Sequence, residues 1–68
     1  MKEKFGNLAP GTVIEVEDGS WLVETPVRPS LFGGSFGRLA VNARHMWTGE
    51  VMTFSADGAD DEVEVWEL

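Results

Sequence analysis

Alternation of apolar and polar residues is clearest over residues 11–25, the stretch that best predicts local structure in this chain. Two runs of β-forming residues flank Asp18 and Gly19, a pair that suits the two positive φ angles of a type I′ hairpin turn. The pattern therefore predicts a β-hairpin with one apolar face, formed by Ile14, Val16, Trp21 and Val23. An isolated hairpin is marginally stable in water, so later strands must cover that face.

The same alternation predicts three further strands, over residues 38–43, 50–54 and 62–68. Together with the four apolar hairpin residues, the side chains expected to be buried are Val41, Phe54, Val63 and Val65. Replacing Val16 by aspartate is predicted to unfold the domain, because an unpaired buried carboxylate costs several kcal/mol.

Residues 1–10 are predicted to form an N-terminal arm that enters the first strand through a turn at Pro10, with Phe5 and Leu8 closing one end of the core. Five short strands separated by turns predict an all-β fold whose sheet wraps around its own apolar face. The first choice is a small five-stranded SH3-like, partly open barrel that spans residues 1–68 as a single domain. An OB-like barrel is the alternative.

Residues 26–37 differ from the rest of the chain, with two prolines at 26 and 29 and three glycines among Leu31, Phe32 and Phe36. Glycine and proline are too frequent here for an unbroken strand, so the sequence predicts a long loop. Two interpretations of its apolar side chains stay open: a lid over the open end of the barrel, or a partner contact on a loop more mobile than the strands.

The chain of 68 residues has no cysteine and a formal net charge of −7. Such a surface repels phosphate backbones, so direct nucleic-acid binding would need a local basic face built from Arg28, Arg38 and Arg44. No stretch has the length of a signal peptide or a membrane span, so a cytoplasmic location and no membrane contact are expected.

Residues that could carry chemistry lack the spacing that chemistry requires. The Asp and Glu residues over 57–62 do not match a calcium loop, and Glu15, Glu17 and Glu24 are interpreted as an exposed rim. His45 is the single histidine, with no nucleophile motif to accompany it, and is interpreted as a surface turn residue. The sequence therefore predicts no enzyme, no catalytic residue, no cofactor and no metal site.

Tryptophan offers the best candidates for recognition. Trp47 lies beside Arg44, His45 and Met46, and tryptophan and arginine are the residues most enriched at binding hot spots. Trp66 falls on the face opposite Val63 and Val65 only if the last strand is regular. It is thus either a core residue after a bulge or an exposed anchor.

The order of these features resembles the KOW-like amino-terminal barrel of bacterial elongation factor P and its relatives. The shared residues are the Leu-Ala-Pro-Gly-Thr-Val-Ile run at 8–14, the Asp-Gly pair at 18–19, Trp-Leu-Val at 21–23, Val-Asn at 41–42, Thr-Gly-Glu at 48–50, Phe54 and Val-Glu-Val at 63–65. The layout is also similar to small uncharacterised proteins of actinobacterial phages.

The departures from that family concern its function. In the elongation factor family a basic residue at the tip of the Gly-rich loop acts at the ribosomal peptidyl-transferase centre, and two further domains follow the barrel. Residues 29–37 here contain no lysine or arginine, and this chain carries one barrel. The resemblance therefore implies the barrel architecture and not the translation activity.

The function expected from these observations is that of a small acidic protein-interaction module without enzymatic activity, an accessory protein of a phage or mobile element that docks on a larger host or virion protein. The alternative is a KOW-type or OB-type nucleic-acid or nucleoprotein binder, or an acidic mimic of nucleic acid. The residues predicted to contact a protein partner are Arg28, Leu31, Phe32, Phe36, Arg44 and Trp47.

Overall fold

The structure is a computed structural model and describes residues 1–30 and 38–66. Over these residues the chain forms one antiparallel sheet of seven strands, which confirms an all-β fold. The sheet is open, and its seven strands replace the five that the sequence predicted. In chain order the strands are β1 Lys2–Lys4, β2 Val13–Val16, β3 Gly19–Val23, β4 Arg28–Pro29, β5 Leu39–His45, β6 Val51–Ala56 and β7 Glu62–Val65.

The five longer strands correspond to those predicted from alternation, and β1 and β4 are additional. The spatial order is β1-β7-β2-β3-β5-β4, and β6 also pairs with β5. β5 is thus the centre of the sheet, since it contacts β3 and β4 along one edge and β6 along the other. A two-residue strand such as β4 shows too little alternation to be predicted from sequence.

The predicted hairpin is confirmed, but its turn lies one residue earlier than expected. β2 and β3 pair with Val16 opposite Gly19, so the two residues of the turn are Glu17 and Asp18. Gly19 has φ +136°, and no non-glycine residue in the described part of the chain has a positive φ. The turn is therefore not the type I′ turn predicted for Asp18 and Gly19, which needs positive φ at both positions.

The core lies on one face of the sheet and is closed by the N-terminal segment. Trp21 is its largest side chain, and the Phe54 ring packs edge-on against it with 5.1 Å between ring centroids. Phe5 and Leu8 are buried as predicted, and Phe5 begins a short 3-10 helix (Phe5–Asn7). The predicted core residues that are buried are Ile14, Trp21, Val23, Val41 and Val65.

The core prediction fails at one hairpin residue. Val16 lies on the same face as Ile14, two residues along β2, yet 43% of its surface is exposed. The residue paired with it is Gly19, which has no side chain to cover it. Phe54 and Val63 are partly buried and pack against the core rather than within it.

The N-terminal segment contains more regular structure than an arm. β1 pairs with β7, and the backbone N–H of Phe5 then donates to the carbonyl of Asp61 at 2.7 Å. Residues 26–30 include β4, so the predicted loop is shorter at its start, and its apolar residues at 31–37 lie outside the described residues. No helix in the described part of the chain is long and apolar enough to cross a membrane.

Candidate interaction groove between Trp47 and Trp66

The connector between β5 and β6, residues 46–50, presents the most exposed aromatic side chain of the described residues. Strand β5 continues to His45, two residues beyond its predicted end, so the connector is shorter than expected. Trp47 lies at its start with 92% of its surface exposed. Exposing this much apolar area of an indole to water costs free energy, and burying it against a partner would recover that cost. Trp47 is therefore a candidate contact residue.

His45 holds this connector in place with its ring. Its Nδ1 accepts hydrogen bonds from the backbone N–H groups of Trp47 and Thr48, both at 3.1 Å. Because Nδ1 is an acceptor, the ring proton lies on Nε2, which donates to the carbonyl oxygen of Asp18 at 3.0 Å. One imidazole therefore joins the β5–β6 connector to the β2–β3 turn.

The same ring also contacts the core. It packs edge-on against Trp21, with 4.7 Å between ring centroids and an angle of 86° between the planes. The sequence interpretation of His45 as a surface turn residue is thus incomplete, since the side chain is half-buried and has three kinds of contact. Both ring nitrogens are hydrogen-bonded to backbone groups, so the ring supports the connector.

Backbone contacts complete the connector. The N–H of Gly49 donates to the carbonyl of His45 at 2.9 Å, and Gly49 adopts φ +79°, a conformation that favours glycine. Arg44 donates from Nη1 to the Gly49 carbonyl at 2.9 Å. These bonds close a tight loop, so Trp47 extends from a backbone that is fixed on both sides.

Trp66 follows β7 and lies on the outer face of the sheet, which resolves the two readings left open by its sequence. Its backbone N–H donates to the carbonyl of Val13 at 2.9 Å, so the pairing with β2 continues past the end of β7. Its indole Nε1 donates to a carboxylate oxygen of Glu15. The ring remains 43% exposed, which makes Trp66 a partly exposed aromatic residue rather than a core residue.

The two tryptophans line one groove, which we call the Trp47–Trp66 groove. Its volume is about 650 Å³, and the residues that line it are Asp18, Gly19, Ser20, His45, Met46, Trp47 and Trp66. A second depression of about 470 Å³ lies beside the same connector and is lined partly by Leu22, Met46 and Trp47. Met46 and Trp47 thus contribute to both concave surfaces, and the larger one is suited to an apolar side chain flanked by aromatic rings.

The arginines predicted to contact a partner already have contacts within the sheet. Arg28 donates to Asn42 Oδ1 at 2.8 Å and to Thr25 Oγ1 at 3.1 Å. Arg44 forms an ion pair with Glu24, 3.1 Å from Nε to Oε2. Of the other predicted contact residues, Leu31, Phe32 and Phe36 lie outside the described residues.

Acidic residues in the described ranges do not assemble into a metal site, since no group of three or more His, Asp or Glu residues there is arranged to hold an ion. Arg38, the third arginine considered for a basic face, forms an ion pair with Asp57 at 3.2 Å. Each of the three arginines, Arg28, Arg38 and Arg44, is thus engaged by a neighbouring side chain at the surface.

Comparison with known proteins does not assign the chain to a family. A scan against protein-family models finds no match, and a search of curated proteins finds no significant relative.

Proposed function

We propose that this protein is a non-enzymatic interaction module that binds a partner protein through the Trp47–Trp66 groove. The observation that carries the proposal is Trp47, a fully displayed indole on a connector whose backbone is fixed by His45. Tryptophan on a pre-ordered backbone binds with little loss of conformational entropy, which is a property of interaction hot spots.

The physical gain from occupying the groove comes from burying apolar surface. Burial of a large side chain is worth about 1.5–3 kcal/mol, and Trp47, Met46 and Trp66 all present exposed area at the same site. Two such side chains are enough to decide whether a small interface binds at micromolar concentration or not at all.

For the architecture we propose the SH3-like, KOW-like barrel to which the sequence bears a resemblance. The support is the antiparallel order β2-β3-β5-β6 of successive long strands, with the short β4 beside β5 at the start of the Gly-rich stretch. Direct binding of nucleic acid has less support, because Arg28, Arg38 and Arg44 are each engaged by protein groups.

Replacing Trp47 by serine tests the proposal. We expect the unfolding midpoint to stay nearly unchanged, because the side chain is outside the core, and partner binding to weaken by about thirtyfold, the effect of losing about 2 kcal/mol at a hot spot. The measurement is a pull-down from a bacterial lysate with quantitative mass spectrometry, followed by titration of the recovered protein.

The matched control is Met52→Ser, which also removes an exposed apolar side chain but lies on β6 and does not line the groove. Equal recovery of the partner with Trp47→Ser and with Met52→Ser would contradict the proposal.

Phe32→Ser provides a separate test of residues 26–37. The sequence predicts that this substitution leaves the unfolding midpoint nearly unchanged and abolishes partner binding, whereas a core lid would lower the midpoint strongly. A thermal melt and the same titration distinguish the two. If Phe32→Ser removes binding and Trp47→Ser does not, the contact lies on the loop and not in the groove.

A further inference from the structure

The lining of the Trp47–Trp66 groove carries negative charge. Of the residues that line it, Asp18 is the acidic one, and none is Lys or Arg. Beyond Trp66, Glu15 on β2 lies directly opposite Glu64 on β7, so two carboxylates are paired on the same face. Like charges directly opposite each other in a sheet repel, and the amino group of Met1 offsets this repulsion at Glu64.

Among the described residues, the contacts of Glu15 and Glu64 leave one carboxylate oxygen of Glu15 able to accept a further hydrogen bond. The Trp66 indole and the Ser20 hydroxyl both donate to the same oxygen of Glu15, Oε1. Its second oxygen accepts no hydrogen bond from the described residues. Glu64 is paired with the amino group of Met1 at 3.1 Å, and half of each side chain is exposed.

We propose, on the basis of the function above, that the occupant of the groove is a cationic peptide segment of the partner protein. One apolar side chain of the segment lies between Trp47 and Trp66, and a neighbouring Lys or Arg reaches the free oxygen of Glu15. A cation near the exposed indole of Trp66 also gains a cation–π contact.

Charge decides among the possible occupants. A second copy of this chain carries the same formal charge of −7, so its approach is repelled at moderate salt. A phosphate backbone is repelled for the same reason. A positively charged segment is attracted, and it supplies Glu15 with a counter-charge, as the amino group of Met1 does for Glu64.

Selection from a library of displayed random peptides against the whole chain tests this inference. We expect the enriched peptides to combine an aromatic or aliphatic residue with an excess of Lys and Arg nearby. Their affinity should fall as salt rises, because attraction between exposed charges is screened. All of them should lose affinity for the Trp47→Ser variant.

The charge of Glu15 is tested with Glu15→Gln, which keeps an acceptor for the Trp66 indole and removes the carboxylate. The expected result is about threefold weaker binding of the enriched peptides, a size typical of one exposed ion pair. The matched control is Glu62→Gln, the same change at the first residue of β7, which does not line the groove, and it should leave the affinity unchanged.

The outcomes separate the two proposals. Peptides that require Trp47 but show no excess of Lys or Arg, or that bind Glu15→Gln as well as the unmodified protein, would overturn the cationic occupant and leave the interaction module standing. If no enriched peptide requires Trp47, the groove is not the binding site and both proposals are overturned.

Discussion

Replacing Ile14 by aspartate is expected to unfold the domain. Ile14 is 2% exposed and lies in the core on the same face as Trp21, the residue paired with it across the hairpin. A carboxylate at this position either stays charged without a partner or becomes protonated, and both states cost several kcal/mol. A domain of this size has a total stability on the order of 5 kcal/mol, so the folded state should be lost.

Val16→Asp is the matched control on the same strand. The sequence predicted that this substitution would unfold the domain, but Val16 is 43% exposed, so its new carboxylate can reach water. We expect a loss of stability of less than about 1 kcal/mol, within the usual range for a partly exposed site. Circular dichroism and a thermal melt of both variants decide. A folded Ile14→Asp protein, or an unfolded Val16→Asp protein, would contradict this account.

The difference in burial between Ile14 and Val16 shows how far the alternation of apolar and polar residues predicts the core. A period of two correctly assigns Ile14 and Val16 to one face of the sheet, because side-chain direction follows from backbone geometry alone. It does not reveal where the core ends along that face. That limit is set by the residue opposite, and the pairing of Val16 with Gly19 depends on the exact position of the turn.

The tryptophans illustrate the same limit for the candidate site. Trp47 could be singled out from the sequence, because it lies between two strands in a segment without alternation. Trp66 could not be placed, since its face depends on whether β7 stays regular to its end. The hydrogen bond from the backbone N–H of Trp66 to the carbonyl of Val13 continues the pairing of β7 with β2. The indole of Trp66 therefore lies on the outer face, beside Glu15.

The role of His45 could not be predicted at all. Its ring contacts Asp18 and Trp21 on the hairpin and the N–H groups of the connector, and these segments are far apart in sequence. Long-range contacts of this kind arise from the pairing of β3 with β5, which brings Trp21 opposite His45.

Gly19 is the residue on which this arrangement depends, and Gly19→Ala is expected to destabilise the domain by about 2–3 kcal/mol. A positive φ costs a residue with a Cβ about 1–2 kcal/mol, and Gly19 has φ +136°. In addition, a Cβ at this position would lie 2.5 Å from Nε2 of His45, so the ring must move and release the Asp18 carbonyl. Loss of that hydrogen bond adds about 1 kcal/mol.

Gly11→Ala separates the two contributions, because Gly11 also has a positive φ, +98°, but a Cβ there meets no atom within 4 Å. Chemical denaturation should therefore show a smaller loss for Gly11→Ala than for Gly19→Ala. In a His45→Ala background the excess at Gly19 should disappear, since no ring remains to be displaced. Equal losses for the two glycine variants would mean that His45 accommodates the new methyl group without cost. The connector that carries Trp47 would then not depend on the hairpin turn for its position.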